Sequence, residues 1–320
     1  MKKALILITA LFLLTGCGVK EPEKEVLEKL DRYVEENGGV LETEEALISL
    51  YAHRESEKYQ EDYDTVKAFA EVCDLPVYVA FPPRKMDALT GVLPEDFPFE
   101  HSEYLYRLAD KTLSGKCEYV DLYSALKGME DTYFKTDHHW THTGAWIAYR
   151  EIASVMGLDP IPLDDFERVE LLAQFRGSDF TKKPTSELWD CIAGVVPKGK
   201  FVTEIVNFPY DSEENNVLFD GFYDTSKLKT NEPYAVFLGG NNPYIRVRKT
   251  GESRDTIVVV RDSFANALTP FLACHFDVVL IDPRFYPTGI SKVAEAENAS
   301  AVLILENMGS ITESDLKFKW

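Results

Sequence analysis

The sequence has few basic residues for its length. Its 34 lysines and arginines stand against 54 aspartates and glutamates, which gives a formal net charge of −20. Binding to the phosphates of a nucleic acid needs concentrated positive charge, so a nucleic acid is not an expected partner. The acidic surplus also repels anionic lipid, so any attachment to a membrane requires an apolar anchor.

Closely spaced cysteines are also lacking. None of the five cysteines forms a C-x-x-C pair, so the sequence indicates neither a zinc site nor a thioredoxin-like redox motif. We expect no cofactor and no metal. The four cysteines beyond the N-terminal region are Cys73, Cys117, Cys191 and Cys274. Outside the cytosol they could form disulfides, and burial as small apolar side chains is the alternative.

Long apolar runs are absent except at the N-terminus. Lys2 and Lys3 precede an uncharged run over residues 4–14, which is shorter than the about 20 residues that span a bilayer. This pattern predicts a signal peptide over residues 1–16. The run ends in LTGC, which resembles a lipobox, so we expect Cys17 to carry lipid and to anchor an extracytoplasmic protein to the cell membrane. The alternative is a simple secretory signal with a chance cysteine.

The rest of the chain divides by composition. Residues 17–40 are rich in Glu and Lys, which predicts a lipidated N-terminus followed by a solvated tether or a short helix. Residues 41–320 form the predicted domain. Helical spacing covers residues 43–72, and residues 76–81 form an apolar strand pattern.

Strands and helices then alternate. Strand patterns occur at residues 118–122, 256–260, 277–281 and 301–305, and helical patterns at 101–114, 143–156, 264–275 and 290–297. This alternation predicts an α/β fold with a parallel sheet flanked by helices. Residues 160–251 show short β-like pieces and turns, which predict a strand-rich insertion.

Two segments carry groups that can do chemistry. Asp137 and His139 lie two residues apart, just before a predicted helix, so a tight turn can bring the carboxylate to the imidazole and fix its tautomer. The alternative is a capped loop with satisfied histidines. Ser263 follows an apolar strand and precedes a helix, which places it at the carboxyl end of a parallel strand, where the helix N-terminus favours an oxyanion. Helix capping by Asp262 or Ser263 is the alternative.

The sequences of these segments resemble those of a known family. TDHHW (residues 136–140) resembles the signature of the DHHW family, and FLGGNNP (237–243), RDSFANALTPFLACHF (261–276) and VVLIDPRFY (278–286) look like its other recurring segments. That family is similar to the SGNH-like alginate O-acetyltransferases, whose Asp-x-His-Trp motif precedes the serine, an order permuted relative to SGNH hydrolases. The resemblance implies an SGNH-like, flavodoxin-like sheet.

Carried over to this sequence, the resemblance makes Asp137 the orienting acid, His139 the base and Ser263 the nucleophile. Arg261 departs from the pattern, because the hydrolases have Gly there. The Ser263 N–H is the first candidate for an oxyanion donor. Further candidates for the oxyanion or the substrate are Gly177, Asn241 and Arg284, for which turn chemistry or a surface position is the alternative.

The expected function is therefore that of an extracytoplasmic serine acyl-ester enzyme, an O-acetyltransferase acting on a cell-surface or exported polysaccharide. The acetyl group and the glycan are implied by the resemblance, and a membrane protein that donates acetyl groups is a candidate partner. Alternatives are a carbohydrate O-acetylesterase and a non-catalytic polysaccharide-binding or assembly protein. A metal hydrolase built on Asp137, His138, His139 and His142 is disfavoured, because adjacent side chains point apart.

Overall fold

A sheet of eight strands forms the centre of the computed structural model, which describes residues 19–207, 213–314 and 316. The strands are β1 (Val40–Glu42), β2 (Leu47–Ser49), β3 (Val77–Ala80), β4 (Glu118–Val120), β5 (Glu167–Phe175), β6 (Asp190–Val196), β7 (Phe201–Ile205), β8 (Val217–Asp220), β9 (Tyr244–Lys249), β10 (Thr256–Arg261), β11 (Asp277–Ile281) and β12 (Ala299–Leu305). The helices are α1 (Lys24–Glu36), α2 (Ser56–Val72), α3 (Lys85–Ala88), α4 (Glu100–Leu113), α5 (Leu122–Leu126), α6 (His142–Val155), α7 (Ser178–Lys182), α8 (Phe264–Leu272), α9 (Ile290–Ala296) and α10 (Met308–Glu313). Short 3-10 helices lie at Leu163–Asp165, Glu213–Asn215, Thr225–Lys229 and Pro233–Val236.

The expected signal peptide and the expected lipidation site, Cys17, lie outside the described residues. Within the described ranges, no helix combines the length and the apolar character that crossing a membrane requires. The four cysteines found there have free thiols, and Cys191 is exposed.

The order of the strands confirms the predicted α/β fold. The sheet runs β4-β3-β12-β10-β11-β9-β7-β8, and the five strands from β4 to β11 are parallel. The remaining three strands come from the strand-rich segment and pair antiparallel, β9 with β11, β7 with β9 and β8 with β7. That segment therefore extends the main sheet, and β5 with β6 forms a separate two-stranded ribbon.

Both faces of the sheet are covered, and this explains why consecutive residues inside β10 are apolar. Ile257 and Val259 belong to the core on the side of α6 and α8, whereas Val258 and Val260 belong to the core on the side of α2, α4 and α9. Successive side chains of a strand point to opposite faces, so a strand buried on both faces needs apolar residues at every position.

The predicted helix over residues 43–72 is wrong in its first part. The helix begins at Ser56, and the preceding residues form the antiparallel pair β1 and β2. Leu47 and Ile48 are fully buried in this pair, and the Leu47 N–H donates to the Lys135 carbonyl over 2.7 Å. Contact with Lys135, the residue before the TDHHW segment, therefore overrides the local helical spacing.

The charged N-terminal segment forms α1, and this helix packs on the domain instead of standing apart from it as a solvated tether. Leu30 is fully buried in a small core with Ile48, Met86 and Phe97. The Tyr33 ring meets Phe97 edge-on, with 5.3 Å between the ring centroids. The apolar stripe of an otherwise charged helix is enough to hold it against the domain.

The buried face of α8 generates a stability prediction. Leu272 is 1% exposed in the core on the α6 side, so Leu272→Asp places a carboxylate among apolar side chains. We expect the free energy of unfolding to fall by about 3 to 5 kcal/mol, from lost apolar burial and the desolvated acid. Urea denaturation of the purified protein measures this change.

The matched control is Leu218→Asp on the edge strand β8, where Leu218 is 63% exposed. Its effect should stay within about 0.5 kcal/mol, because a surface leucine has little burial to lose. Equal midpoints for the wild type and Leu272→Asp would show that the buried face of α8 is assigned wrongly.

Candidate active site

The TDHHW segment folds as a tight hairpin. Tyr133 pairs with Trp140 across it, and the Phe134 N–H donates to the His139 carbonyl over 3.1 Å. The Trp140 ring is fully buried, and its Nε1–H donates to the Phe264 carbonyl at 3.0 Å. One indole therefore joins the histidine-bearing hairpin to the first turn of the helix that follows Ser263.

Three side chains form a continuous series of hydrogen bonds across this junction. The Asp137 Oδ1 atom lies 2.6 Å from His139 Nδ1, and His139 Nε2 lies 2.7 Å from Ser263 Oγ. A carboxylate can only accept, so Nδ1 carries the proton and Nε2 is left to accept the Ser263 hydroxyl proton. This is the arrangement of an orienting acid, a base and a nucleophile.

Asp137 is 3% exposed, yet its carboxylate has three donors. The backbone N–H of His139 donates to Oδ1 at 2.9 Å, and that of Ser178 donates to Oδ2 at 2.8 Å, in addition to the His139 ring. Burial raises the pKa of Asp137, but the charge and hydrogen bond of His139 outweigh burial and hold the pKa well below its usual range. The acid stays ionised and fixes the imidazole.

Ser263 lies between the end of β10 and the start of α8. The flanking Asp262 holds this turn: its carboxylate accepts from the Phe264 and Asn307 N–H groups, at 3.0 and 2.7 Å, and from the Ser310 hydroxyl at 2.8 Å. Among the described residues, the Ser263 N–H has no hydrogen-bond acceptor. It lies at the positive end of α8, where unpaired N–H groups favour an anion.

His138 has a different environment from His139. Its Nδ1 atom lies 2.6 Å from the Ser178 hydroxyl and 3.8 Å from Asp137 Oδ1. Burial, followed by the neighbouring His139 charge, lowers the pKa of His138 to about 4, so it is neutral at physiological pH. His138 therefore packs beside the series without joining it.

The residues of the metal alternative are only partly brought together. Ligand atoms of Asp137, His138 and His139 lie within 4.8 Å of one another, and His142 on α6 is outside this group. Both ring nitrogens of His139 already face Asp137 and Ser263, and His138 faces Ser178. Three of the four ring nitrogens of these two histidines thus already make hydrogen bonds, which fits acyl chemistry better than metal binding.

Asn241 lies at the site with its carboxamide oriented. Its Oδ1 atom accepts from Arg261 Nη1 at 3.0 Å and from Asn266 Nδ2 at 3.4 Å. Arginine only donates, so the oxygen must face Arg261 and the amide nitrogen faces the opposite way. Arg261 also donates to the Asn242 carbonyl at 3.1 Å. The arginine that replaces the expected glycine therefore holds the Gly-rich loop beside Ser263.

The other two expected substrate contacts are occupied. The Gly177 N–H donates to the Thr136 hydroxyl at 3.2 Å, and a Cβ at Gly177 would lie 2.2 Å from Asp137 Oδ2. Gly177 thus lets the backbone approach the acid. Arg284 donates to Asp282 through Nε at 2.8 Å and Nη2 at 2.6 Å, so its planar fork is already filled by a carboxylate of the same chain.

Tyr234 is the contact that the sequence analysis missed. Its ring stacks on His139, with centroids 3.7 Å apart and planes inclined by 6°. It is 7% exposed, and burial raises the pKa of its hydroxyl well above the usual value. Tyr234 comes from a short 3-10 helix just before FLGGNNP, and an aromatic residue next to that segment was the only available signal.

Comparison with known proteins identifies the family of the chain. The DHHW protein family matches residues 94–282, which is more than half of the chain. No curated protein matches the sequence. A DHHW family protein from Eubacterium siraeum is 16% identical with a TM-score of 0.69, and the alignment covers 85% of this chain and 91% of that one.

Two further structures are similar. Bacillus cereus PatB1 with a sulfonyl adduct is 20% identical with a TM-score of 0.70, covering 88% of this chain and 98% of PatB1. The O-acetyltransferase domain of Pseudomonas putida AlgJ is 13% identical with a TM-score of 0.49, covering 87% and 94%. The likeness to the Eubacterium protein and to PatB1 shows a shared SGNH-like fold. Because the family model matches more than half of its residues, the chain belongs to the DHHW family.

Proposed function

We propose that this protein is an extracytoplasmic serine enzyme that transfers acetyl groups to hydroxyls of a cell-surface or exported polysaccharide. The observation that carries the proposal is the series Asp137–His139–Ser263, with heavy-atom distances of 2.6 and 2.7 Å. The acetyl group and the polysaccharide come from the resemblance to the alginate O-acetyltransferases. The sulfonyl adduct of PatB1, a protein of the same fold, gives support, because sulfonyl reagents modify nucleophilic hydroxyls.

The proposed reaction has two half-reactions. His139 Nε2 takes the Ser263 proton while Oγ attacks the carbonyl carbon of an acetyl ester, and the imidazolium then returns that proton to the departing alcohol. The acetyl-enzyme that results is attacked by an acceptor hydroxyl, whose proton passes to His139 and then to Ser263. Asp137 stays ionised and holds the imidazole in both steps.

We assign oxyanion stabilisation to the Ser263 N–H and to the amide of Asn241. The N–H lies at the N-terminus of α8, and the Asn241 oxygen faces Arg261, which leaves its amide protons for a developing negative charge. Donors held in place before the reaction stabilise the transition state more than the bound ester.

A carbohydrate O-acetylesterase shares the first half-reaction, with water as the acceptor. Product analysis separates the two: transfer gives an acetylated glycan, and hydrolysis gives free acetate. A non-catalytic polysaccharide-binding protein of this fold is the remaining alternative, and the hydrogen-bonded series weighs against it because binding alone requires no aligned base.

The first prediction from this proposal concerns turnover of a small acetyl ester such as p-nitrophenyl acetate. Ser263→Ala and His139→Ala should each lower kcat/KM by several orders of magnitude, roughly 10⁴-fold, and the double variant should be little worse, because the groups act as a unit. Asp137→Asn should cost somewhat less, through loss of tautomer control. The matched control is His138→Ala, for which we expect only a modest loss.

Intact-mass analysis after exposure to the activated ester supplies an independent readout. An acetyl mass increase that maps to Ser263, and that Ser263→Ala abolishes, supports the enzyme over the binding protein. If His138→Ala were inactive and His139→Ala were active, the assignment of His139 as the base would be wrong. Full activity of Ser263→Ala would exclude Ser263 as the nucleophile.

The second prediction concerns the oxyanion donor. Asn241→Ala should lower kcat for the same ester by about 10²- to 10³-fold with little change in KM, because the donor acts on charge that develops in the transition state. Asn242→Ala is the control, since the Asn242 side chain bonds the Gly239 carbonyl and Arg261 uses only the Asn242 backbone. Equal losses in both variants would indicate loop disruption instead of a lost donor.

The third prediction concerns the proposed lipid anchor at Cys17. The full-length protein should enter the detergent phase in a phase-separation assay, and Cys17→Ser should move it to the aqueous phase, because the acyl chains supply the apolar attachment. Circular dichroism should be unchanged. A Cys17→Ser variant that still partitions into detergent would contradict lipidation at this residue.

A further inference from the structure

Trp189 is a large apolar side chain that the fold leaves in solvent. It precedes β6 and is 49% exposed, whereas Trp140 is fully buried and Trp146, on α6, is half-buried. The other strongly exposed large apolar side chains of the described residues lie in different segments of the chain, at Val72, Met129, Val155, Val217, Leu218 and Phe285. Of these described residues, Trp189 and Phe285 are aromatic, and Trp189 presents the larger ring.

A cation–π contact restrains this ring on one face. The Arg176 guanidinium lies 3.8 Å from the Trp189 ring centroid and 4.3 Å from that of Phe180. Its Nε–H donates to the Leu188 carbonyl at 3.0 Å, which fixes the guanidinium in the turn next to Trp189. Cation–π contact on one side restricts the indole, so its other side is a fixed flat surface. We call this arrangement the Trp189 platform.

The platform is attached to the hairpin of the active site at both ends. On one side, the Asp190 carboxylate accepts the N–H groups of Lys135 and Thr136, each at 2.7 Å. On the other side, Gly177 and Ser178, which follow Arg176, donate to Thr136 Oγ1 and Asp137 Oδ2. The Trp189 platform and the proposed acid therefore share one rigid support.

We propose that the exposed face of Trp189 is a subsite for one sugar ring of the acceptor polysaccharide, and this rests on the proposed function. The axial C–H groups of a pyranose form a flat apolar face of about the size of an indole, while its hydroxyls stay in water. A rigid aromatic surface binds such a ring at low entropic cost.

Other occupants fit the surface less well. A stable protein interface buries about 800 Å² on each partner, far more than one indole face offers. A nucleobase could stack there, but the net charge of −20 repels the attached phosphates. Because the Trp189 platform is attached to the TDHHW hairpin, it suits an acceptor that must reach Ser263. Trp189 is thus a positioning residue, which binds the glycan without touching the acetyl group.

The test separates glycan binding from ester chemistry. The full-length protein in detergent is assayed with p-nitrophenyl acetate as donor and with cellohexaose, xylohexaose or chitohexaose as acceptor, and acetylated oligosaccharide is measured by mass spectrometry. Trp189→Ala should raise KM for the acceptor about tenfold or more, while hydrolysis of p-nitrophenyl acetate without acceptor stays within about twofold. Trp189→Phe should recover most of the acceptor affinity, because a smaller ring still stacks.

The matched control is Leu218→Ala, which removes another exposed apolar side chain, on the edge strand β8, and should leave both reactions unchanged. Thermal melting checks folding, and direct binding of the oligosaccharides to wild type keeps the test valid if Trp189→Ala unfolds. The proposal is overturned if Trp189→Ala uses the acceptor as well as wild type, or if wild type binds none of the three oligosaccharides by saturation-transfer NMR. Failure of the proposed function would appear separately, as wild type that does not hydrolyse p-nitrophenyl acetate.

Discussion

The site depends on the burial of one carboxylate. An ionised acid that leaves water must recover hydrogen bonds, and Asp137 recovers three, from the His139 ring, the His139 backbone and the Ser178 backbone. Each donor constrains the chain: the first two require the tight hairpin, and the third requires the backbone at Gly177 to approach so closely that no Cβ fits. The same interactions that satisfy the acid also aim the imidazole at Ser263.

Support for this hairpin continues into the interior through Lys85. Lys85 is 2% exposed, and its ammonium group donates to the carbonyls of Lys135 and Asp137, each at 3.0 Å, and to Asp179 at 3.2 Å. At the carboxyl edge of the sheet, Asp262, Asp282 and Glu306 follow three adjacent parallel strands. Burial and the Asp262 charge raise the pKa of Glu306 well above its usual range, which keeps this edge from carrying a third negative charge.

Local sequence patterns predicted the parts of the fold that are locally determined. The parallel strands and their helices have continuous apolar runs bounded by turns, and the predicted α/β fold was confirmed. The helix predicted from residue 43 failed because Leu47 and Ile48 pack through tertiary contacts, which periodicity cannot reveal. The motif predicted Asp137, His139 and Ser263 as one group, and their side chains lie within hydrogen-bond distance of one another in series. The stacking of Tyr234 on His139 was not predicted, because contact between residues 95 positions apart leaves no periodic signal.

The docked N-terminal segment has a consequence for the lipid anchor proposed at Cys17. Val19 packs against the core on the side of α2, α4 and α9, and Leu30 of α1 is buried, so the segment is held against the domain from its first described residue. Two residues separate Cys17 from Val19, which is about 7 Å along a fully extended chain. An acyl chain on Cys17 would therefore hold the domain directly at the bilayer surface, and the proposed transfer would act on polymer strands as they emerge there.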